Sequence, residues 1–180
     1  MLLALAAAGA FAQAPDEREA KLRAFEAWRA GYLLHLNGHY ERAAEQFRAS
    51  IKAYPTAEGH TFLGWSLGRL GRVEEAIEHC KTAIRLDPDY GNPYNDIGVY
   101  LMVLGRSDEA IPWLEKAIAA RRYCCYHFAH TNLGRVLLQK GRLEEARRRF
   151  ERALEYDPGY EPALEGLEII RNRLKGKTLS

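Results

Sequence analysis

The sequence predicts an all-α chain, an α-solenoid in which antiparallel helix pairs stack into a right-handed superhelix, and three regularities carry that expectation. First, a short motif recurs as Gly38-His39-Tyr40-Glu41-Arg42-Ala43, Gly71-Arg72-Val73-Glu74-Glu75-Ala76, Gly105-Arg106-Ser107-Asp108-Glu109-Ala110 and Gly141-Arg142-Leu143-Glu144-Glu145-Ala146. The leading glycines are 33, 34 and 36 residues apart, a period that marks stacked supersecondary units. Second, another glycine stands seven residues ahead of each, at Gly31, Gly64, Gly98 and Gly134. Third, each motif alanine is followed four residues on by Phe47, Cys80, Leu114 or Phe150 and three further on by Ser50, Ala83, Ala117 or Ala153. Pro55, Pro88 and Pro158 close three of the four copies.

Each part of the unit has a mechanical reading. A first helix ends at the motif glycine, which can take positive φ and cap the C-terminus, and a second helix starts just beyond it. Small residues midway along the first helix and early in the second (Ala43, Ala76, Ala110, Ala146) let the two backbones approach closely. Apolar residues at i, i+3, i+4 and i+7 form the buried stripe, and proline cannot continue the second helix. In order, helices are expected at 17–37 and 40–53, 58–70 and 73–86, 92–104 and 108–120, and 126–140 and 143–156. They build repeats 24–56, 57–90, 91–126 and 127–160, after an N-terminal extension over 13–23. A last helix at 161–175 has one apolar and one charged face and is expected to cap the stack, with a frayed tail at 176–180. The third copy is two residues longer, has Arg122 where the others have proline, and carries Pro112 inside its second helix. The stretch Ala120 to Tyr126 is therefore expected to be the least regular turn.

The set Gly64, Leu67, Gly71, Ala76, Ala83 and Pro88, with its counterparts in the other copies, resembles the tetratricopeptide repeat family over about residues 24 to 158. The resemblance implies a concave face lined by the first helix of each repeat that binds an extended peptide or a partner helix. Mapped onto this chain, the family's groove positions are Phe25, Trp28, Tyr32 and His35 in the first repeat and Glu58, Thr61, Trp65 and Gly68 in the second. The third gives Asn92, Asn95, Val99 and Met102, the fourth Phe128, Thr131, Arg135 and Leu138. Aromatic side chains suit anchoring, and Asn amides can pair with both donor and acceptor of an extended backbone. Trp65 and Arg135 are expected to be exposed. Trp28 and Tyr32 have two readings, as ligand contacts or as packing within the first hairpin.

One subgroup of the family clamps a C-terminal carboxylate with Lys, Arg and Asn. The corresponding sites here hold Trp28, Tyr32, Thr61, Asn95 and Asn92, so the basic clamp is absent. Another subgroup uses an Asn ladder one position along, where this chain has Arg29, Phe62, Asp96 and Asn132; only Asn132 keeps a rung. The short form with its cap also loosely resembles the pilus-biogenesis outer-membrane pilotins, which are lipid-anchored through a Cys; none follows the apolar run here.

Composition narrows the remaining classes. The 180 residues are 47% hydrophobic and 28% charged, and 26 basic against 24 acidic residues leave a formal charge of +2. That balance gives no strong pull toward phosphate backbones or anionic lipid, so nucleic acid is not an expected partner. Met1 to Ala12 carry no charge and end in the small-x-small pattern Ala10-Phe11-Ala12. This run is shorter than the ~20 residues a spanning helix needs, and a cleaved signal peptide is the expectation. It places the chain in the periplasm or outside the cell, with a cytoplasmic chain as the alternative.

Cys124, His127 and His130 recur every three residues, but zinc wants four ligands and no paired Cys or His cluster supplies the rest; no metal or cofactor is expected. Cys80 reads as a buried thiol, and adjacent Cys124 and Cys125 leave an odd count. No phosphate loop, nucleophile elbow or His-Glu-x-x-His stretch occurs, so no catalytic residue is expected. Arg147-Arg148-Arg149 lies among Glu144, Glu145 and Glu151 and reads as a solvated face. The expected function is a protein-interaction scaffold in an envelope-associated assembly. The alternatives are a self-associating structural module, which would make a homo-oligomer, and a Cys/His metal or thiol sensor.

Overall fold

A computed structural model describes residues 16–177. Among them are α1 (Glu17–Leu36), α2 (Tyr40–Ala53), α3 (Ala57–Arg69), α4 (Val73–Leu86), α5 (Asn92–Val103), α6 (Ser107–Ala119), α7 (Tyr126–Gln139), α8 (Leu143–Tyr156) and α9 (Glu161–Lys177). The signal peptide expected over 1–12 lies outside the described residues. α9 runs to Lys177, two residues past the 175 expected from the sequence.

The motif glycines make the turns. Among the described residues, Gly38, Gly71, Gly105 and Gly141 are the ones with positive φ, at 78°, 77°, 73° and 72°. The amide one residue past each glycine reaches back to a carbonyl five residues earlier, as in Arg72 to Leu67 at 2.9 Å and Arg106 to Leu101 at 2.8 Å. This closes the first helix with a Schellman pattern. Arg72, Arg106 and Arg142 then open the second helices, each forking onto the glutamate three residues on (Glu75, Glu109, Glu145) with two bonds of 2.6–2.7 Å.

Midway along the hairpins a second set of glycines acts by lacking a side chain. A Cβ on Gly31 would meet the Phe47 ring at 2.9 Å, one on Gly98 the Leu114 side chain at 2.6 Å, and one on Gly134 the Phe150 ring at 2.8 Å. The large apolar residue of the second helix thus lies on the bare backbone of the first. In the second repeat the partner is the smaller Cys80, whose Sγ a Cβ on Gly64 would meet at 3.2 Å, and Gly64 also accepts a hydrogen bond from Tyr100 Oη at 3.0 Å. Tyr100, from the next repeat, also lies against Gly68, where a Cβ would come within 2.6 Å of its ring. At the preceding joint the equivalent contact is polar, between His35 Nδ1 and Ser66 Oγ at 3.0 Å.

One continuous core runs from Ala43 to Ile170. On α9, Ala163, Gly166 and Ile170 are buried, and Gly166 gives room to Phe150. Successive first helices touch one another (α1 with α3, α3 with α5, α5 with α7, and α7 with α9), whereas the second helices make no such contacts with each other. The stack therefore curves with its first helices on the inner side.

The third joint is irregular in sequence yet well tied. Arg122 stands where proline would have no N–H, and its amide donates to Asp89 O at 2.9 Å while its carbonyl accepts from Gly91 N at 3.0 Å. Its guanidinium reaches Asp87 Oδ2 at 2.6 Å and Glu58 Oε1 at 2.7 Å, and lies over the Tyr90 ring at 4.1 Å. α6 continues through Pro112. No described helix is long and apolar enough to cross a membrane.

Candidate functional site

The inner face is organised by register relative to the mid-helix glycines. Residues one position after them are Tyr32, Trp65, Val99 and Arg135; Trp65 is 42% exposed and Arg135 is exposed, while Tyr32 and Val99 are half-buried. Residues three positions before them are Trp28, Thr61, Asn95 and Thr131, and here the helix has turned toward the interior. Thr61, Asn95 and Thr131 are 4%, 8% and 1% exposed.

That rotation corrects the sequence mapping at Thr131. Thr61 Oγ1 is spent on its own helix, donating to Ala57 O at 2.8 Å. Thr131 is buried with its hydroxyl unpartnered and is not a groove-lining residue. At about 100° per residue, the neighbouring register two before the glycine is the outward one, and it holds Phe62, Asp96 and Asn132.

A pocket of about 470 Å³ opens on this face between α3, α5 and α7. Of the residues expected in the groove, Thr61, Trp65, Gly68, Asn92, Asn95, Val99 and Phe128 line it. Phe62, Asp96, Tyr100 and Tyr123 join them and were not foreseen as site residues. The signal for Phe62 and Asp96 was the ladder register itself, read only for its missing asparagines.

Trp28 and Tyr32 lie outside this pocket, in an aromatic wall leading to it. Their rings stack at 5.4 Å with an interplanar angle of 4°, and the edge of Phe62 meets them at 5.1 and 5.6 Å. Phe62 then meets Trp65 at 5.3 Å, and Trp65 stacks on His35 at 5.0 Å. Burial and the nearby Arg69 charge hold the His35 pKa below its ordinary value, so this wall is neutral. Trp28, with Phe25, Tyr54 and Glu58, also borders a second pocket of about 440 Å³ at the N-terminal end.

The floor is polar and linked. Asn132 Nδ2 donates to Asn95 Oδ1 at 3.0 Å, and Asn95 Nδ2 reaches Asp96 Oδ1 at 3.4 Å. Desolvation pushes the Asp96 carboxyl up to about 7, against a small opposing effect of the Asn95 amide.

The Cys/His stretch does not converge. His130 is buried and stacked on Tyr156 at 5.8 Å, His127 packs on Phe128 and Tyr160, and Cys124 is exposed. Among the described residues no group of three His, Cys, Asp or Glu side chains could hold a metal ion. All three cysteines are free thiols, and burial pushes Cys80 well above its ordinary pKa.

An all-α stack of helical hairpins with positive-φ glycine turns and an inner groove defines a helical-repeat solenoid. Profiles of the tetratricopeptide repeat match residues 29–91 and 89–158. The chain belongs to the tetratricopeptide repeat family. Among curated proteins it is 31% identical over 101 residues to the mouse DnaJ homolog subfamily C member 3, covering 56% of this chain and 20% of that protein. It is 26% identical over 137 residues to the rat mitochondrial import receptor subunit TOM70, covering 73% of this chain and 22% of the receptor. The chain thus spans about a fifth of the length of these relatives.

Among solved structures, pilF of Pseudomonas aeruginosa superposes with a TM-score of 0.80 at 21% identity, covering 89% of this chain and 71% of that one. YrrB, described as a TPR protein with an unusual peptide-binding site, gives 0.64 at 22% identity over 88% and 81%. The first TPR of RPAP3, bound to the HSP90 peptide SRMEEVD, gives 0.62 at 24% identity over 67% and 94%. These likenesses establish the fold.

Proposed function

We propose that the chain is a non-enzymatic interaction scaffold that holds a peptide or an extended segment of a partner protein along its inner face, within an envelope-associated assembly. The observation that carries the binding role is the pocket between α3, α5 and α7, edged by the exposed Trp65 and Phe128 and floored by polar side chains. Aromatic anchors beside polar groups that fix a backbone are the usual makings of a peptide site. Membership of a family whose members generally mediate protein–protein contacts supports it. What supports the envelope address is the uncharged run Met1 to Ala12 with its small-x-small end.

The binding role is tested by selecting peptides from a displayed random library on the full chain and titrating them against Trp65→Ala/Arg135→Ala. A loss of at least roughly tenfold, about 1.4 kcal/mol, with unchanged helicity and melting supports the groove. Selected peptides that bind the double variant as well as the parent would move the site elsewhere. For the address, N-terminal sequencing of the protein from fractionated host cells should find a processed chain outside the cytoplasm; an intact, cytoplasmic chain would defeat it.

A further inference from the structure

Resting on the groove reading above, we infer that the pocket between α3, α5 and α7 selects a basic side chain, a Lys or Arg of the bound segment, with Asp96 as its anionic anchor. Asp96 is a half-buried carboxylate on the pocket wall. Among the described residues it forms no ion pair, and the polar contact that acts on it is the long one from the Asn95 amide. Other acidic side chains on the repeats either sit in ion pairs, such as Glu75 with Arg72 or Glu109 with Arg106, or, like Glu45, Glu74 and Glu115, are exposed to solvent. A carboxylate withdrawn from water and left without a cation is costly, and a ligand that supplies the cation recovers that cost.

The surroundings fit a cation on an alkyl stem. Phe62, Trp65 and Phe128 give aromatic surface beside the carboxylate, and such faces attract ammonium and guanidinium groups while covering their methylenes. Tyr123 lines the same pocket and is 6% exposed, with its hydroxyl buried. Lys and Arg carry several donors and no acceptor, which complements the unpaired carboxylate of Asp96. The Asn95 oxygen is already taken by Asn132.

The groups around Asp96 do not compete for this role. Cys80 on α4, Tyr90 before α5, Tyr100 on α5, and Tyr123 and Cys125 before α7 all feel its charge, and burial pushes each of them upward, so they are neutral near pH 7. Arg69 on α3 borders the pocket but lies over the Tyr40 ring at 4.9 Å. α7 contributes Phe128 to the lining and no titratable group. Binding of the cation should therefore strengthen as Asp96 ionises.

The test uses the library-selected peptides whose binding Trp65→Ala weakens, with blocked termini. These should share a Lys or Arg. Replacing that Lys by norleucine, or making Asp96→Asn, should each weaken binding roughly tenfold, and the two losses should not add. With the parent protein, affinity for the Lys peptide should rise between about pH 6 and 8 while the norleucine analogue stays flat. This arm needs no variant and stands even if Asp96→Asn misfolds. Groove binders without a basic residue, or a basic residue insensitive to both changes, overturn the cation pocket and leave the groove standing. If no selected peptide is sensitive to Trp65→Ala, the groove reading fails and the cation pocket with it.

Discussion

Asn132 on α7 and Asn95 on α5 are joined by a single amide–amide hydrogen bond, Nδ2 to Oδ1 at 3.0 Å, which bridges the third and fourth repeats across the floor of the groove. It fixes which way the Asn95 amide faces, so that its other end points at Asp96. Asn132→Ala removes the donor to a largely buried acceptor and should cost about 1 kcal/mol in a denaturant melt. No change in stability would show that water replaces Asn132 freely.

The two glycines of the third first-helix region should fail for different reasons. Gly98→Ala forces a Cβ within 2.6 Å of Leu114, and overpacking of about 1–3 kcal/mol should outweigh the ~1 kcal/mol gain in helix propensity. Gly105→Ala meets open space but must hold φ at 73°, a cost of about 1–2 kcal/mol. Thermal melts distinguish them in combination with Leu114→Ala, which should relieve the Gly98 clash and leave the Gly105 effect unchanged.

Restoring the repeat's missing proline should harm this protein. Arg122→Ala gives up half-exposed ion pairs to Asp87 and Glu58 and the Tyr90 contact, about 1 kcal/mol after solvent screening. Arg122→Pro also forfeits the amide bond to Asp89 and should cost about 1 kcal/mol more than alanine. Equal melting temperatures for the two variants would show that the amide bond adds nothing.

Acid should loosen the packing between hairpin helices at two histidines. His60 and His130 are each held down to about 4 by desolvation and by neighbouring positive or imidazole groups. Between about pH 4 and 6.5 the unfolded chain binds more protons than the folded one, so stability present above the unfolded value is lost as pH falls through that window. Asp96 acts in the opposite sense, because its folded pKa of about 7 makes its contribution favourable in acid and removes it as pH rises from about 4 to 7. Asp96→Asn should therefore steepen the loss of stability on acidification, measured as melting temperature against pH. A shallower dependence would contradict the assigned direction.

Much of the fold was legible because its devices are single residues with one physical job. Gly71 can be read from sequence since few other residues tolerate its φ, and Gly64 opposite Cys80 follows from the fixed distance between two helix positions. The groove was legible only to within one residue. Register assigned from the family placed Thr61, Asn95 and Thr131 in the groove; a first helix turns about 100° per residue, and all three are almost wholly buried, with Thr61 and Asn95 still lining the pocket and Thr131 outside it. Asp96 was visible as a departure from an asparagine pattern, and its meaning depended on what stands around it, which no spacing encodes. The bonds of Arg122 were equally hidden, since Glu58 and Asp87 reach it only after two repeats have stacked.

The joints between successive hairpins are chemically different from one another: His35 meets Ser66 at the first, and Gly68 makes room for Tyr100 at the second. Four near-identical modules on one string could in principle dock out of order during folding, skipping a neighbour to pair with the next. Such a frame-shifted stack would set His35 against the bulk of Tyr100 in place of the Ser66 hydroxyl. The small differences among the copies thus give each module an address, and a chain with its second and third modules exchanged should assemble poorly although every module is kept.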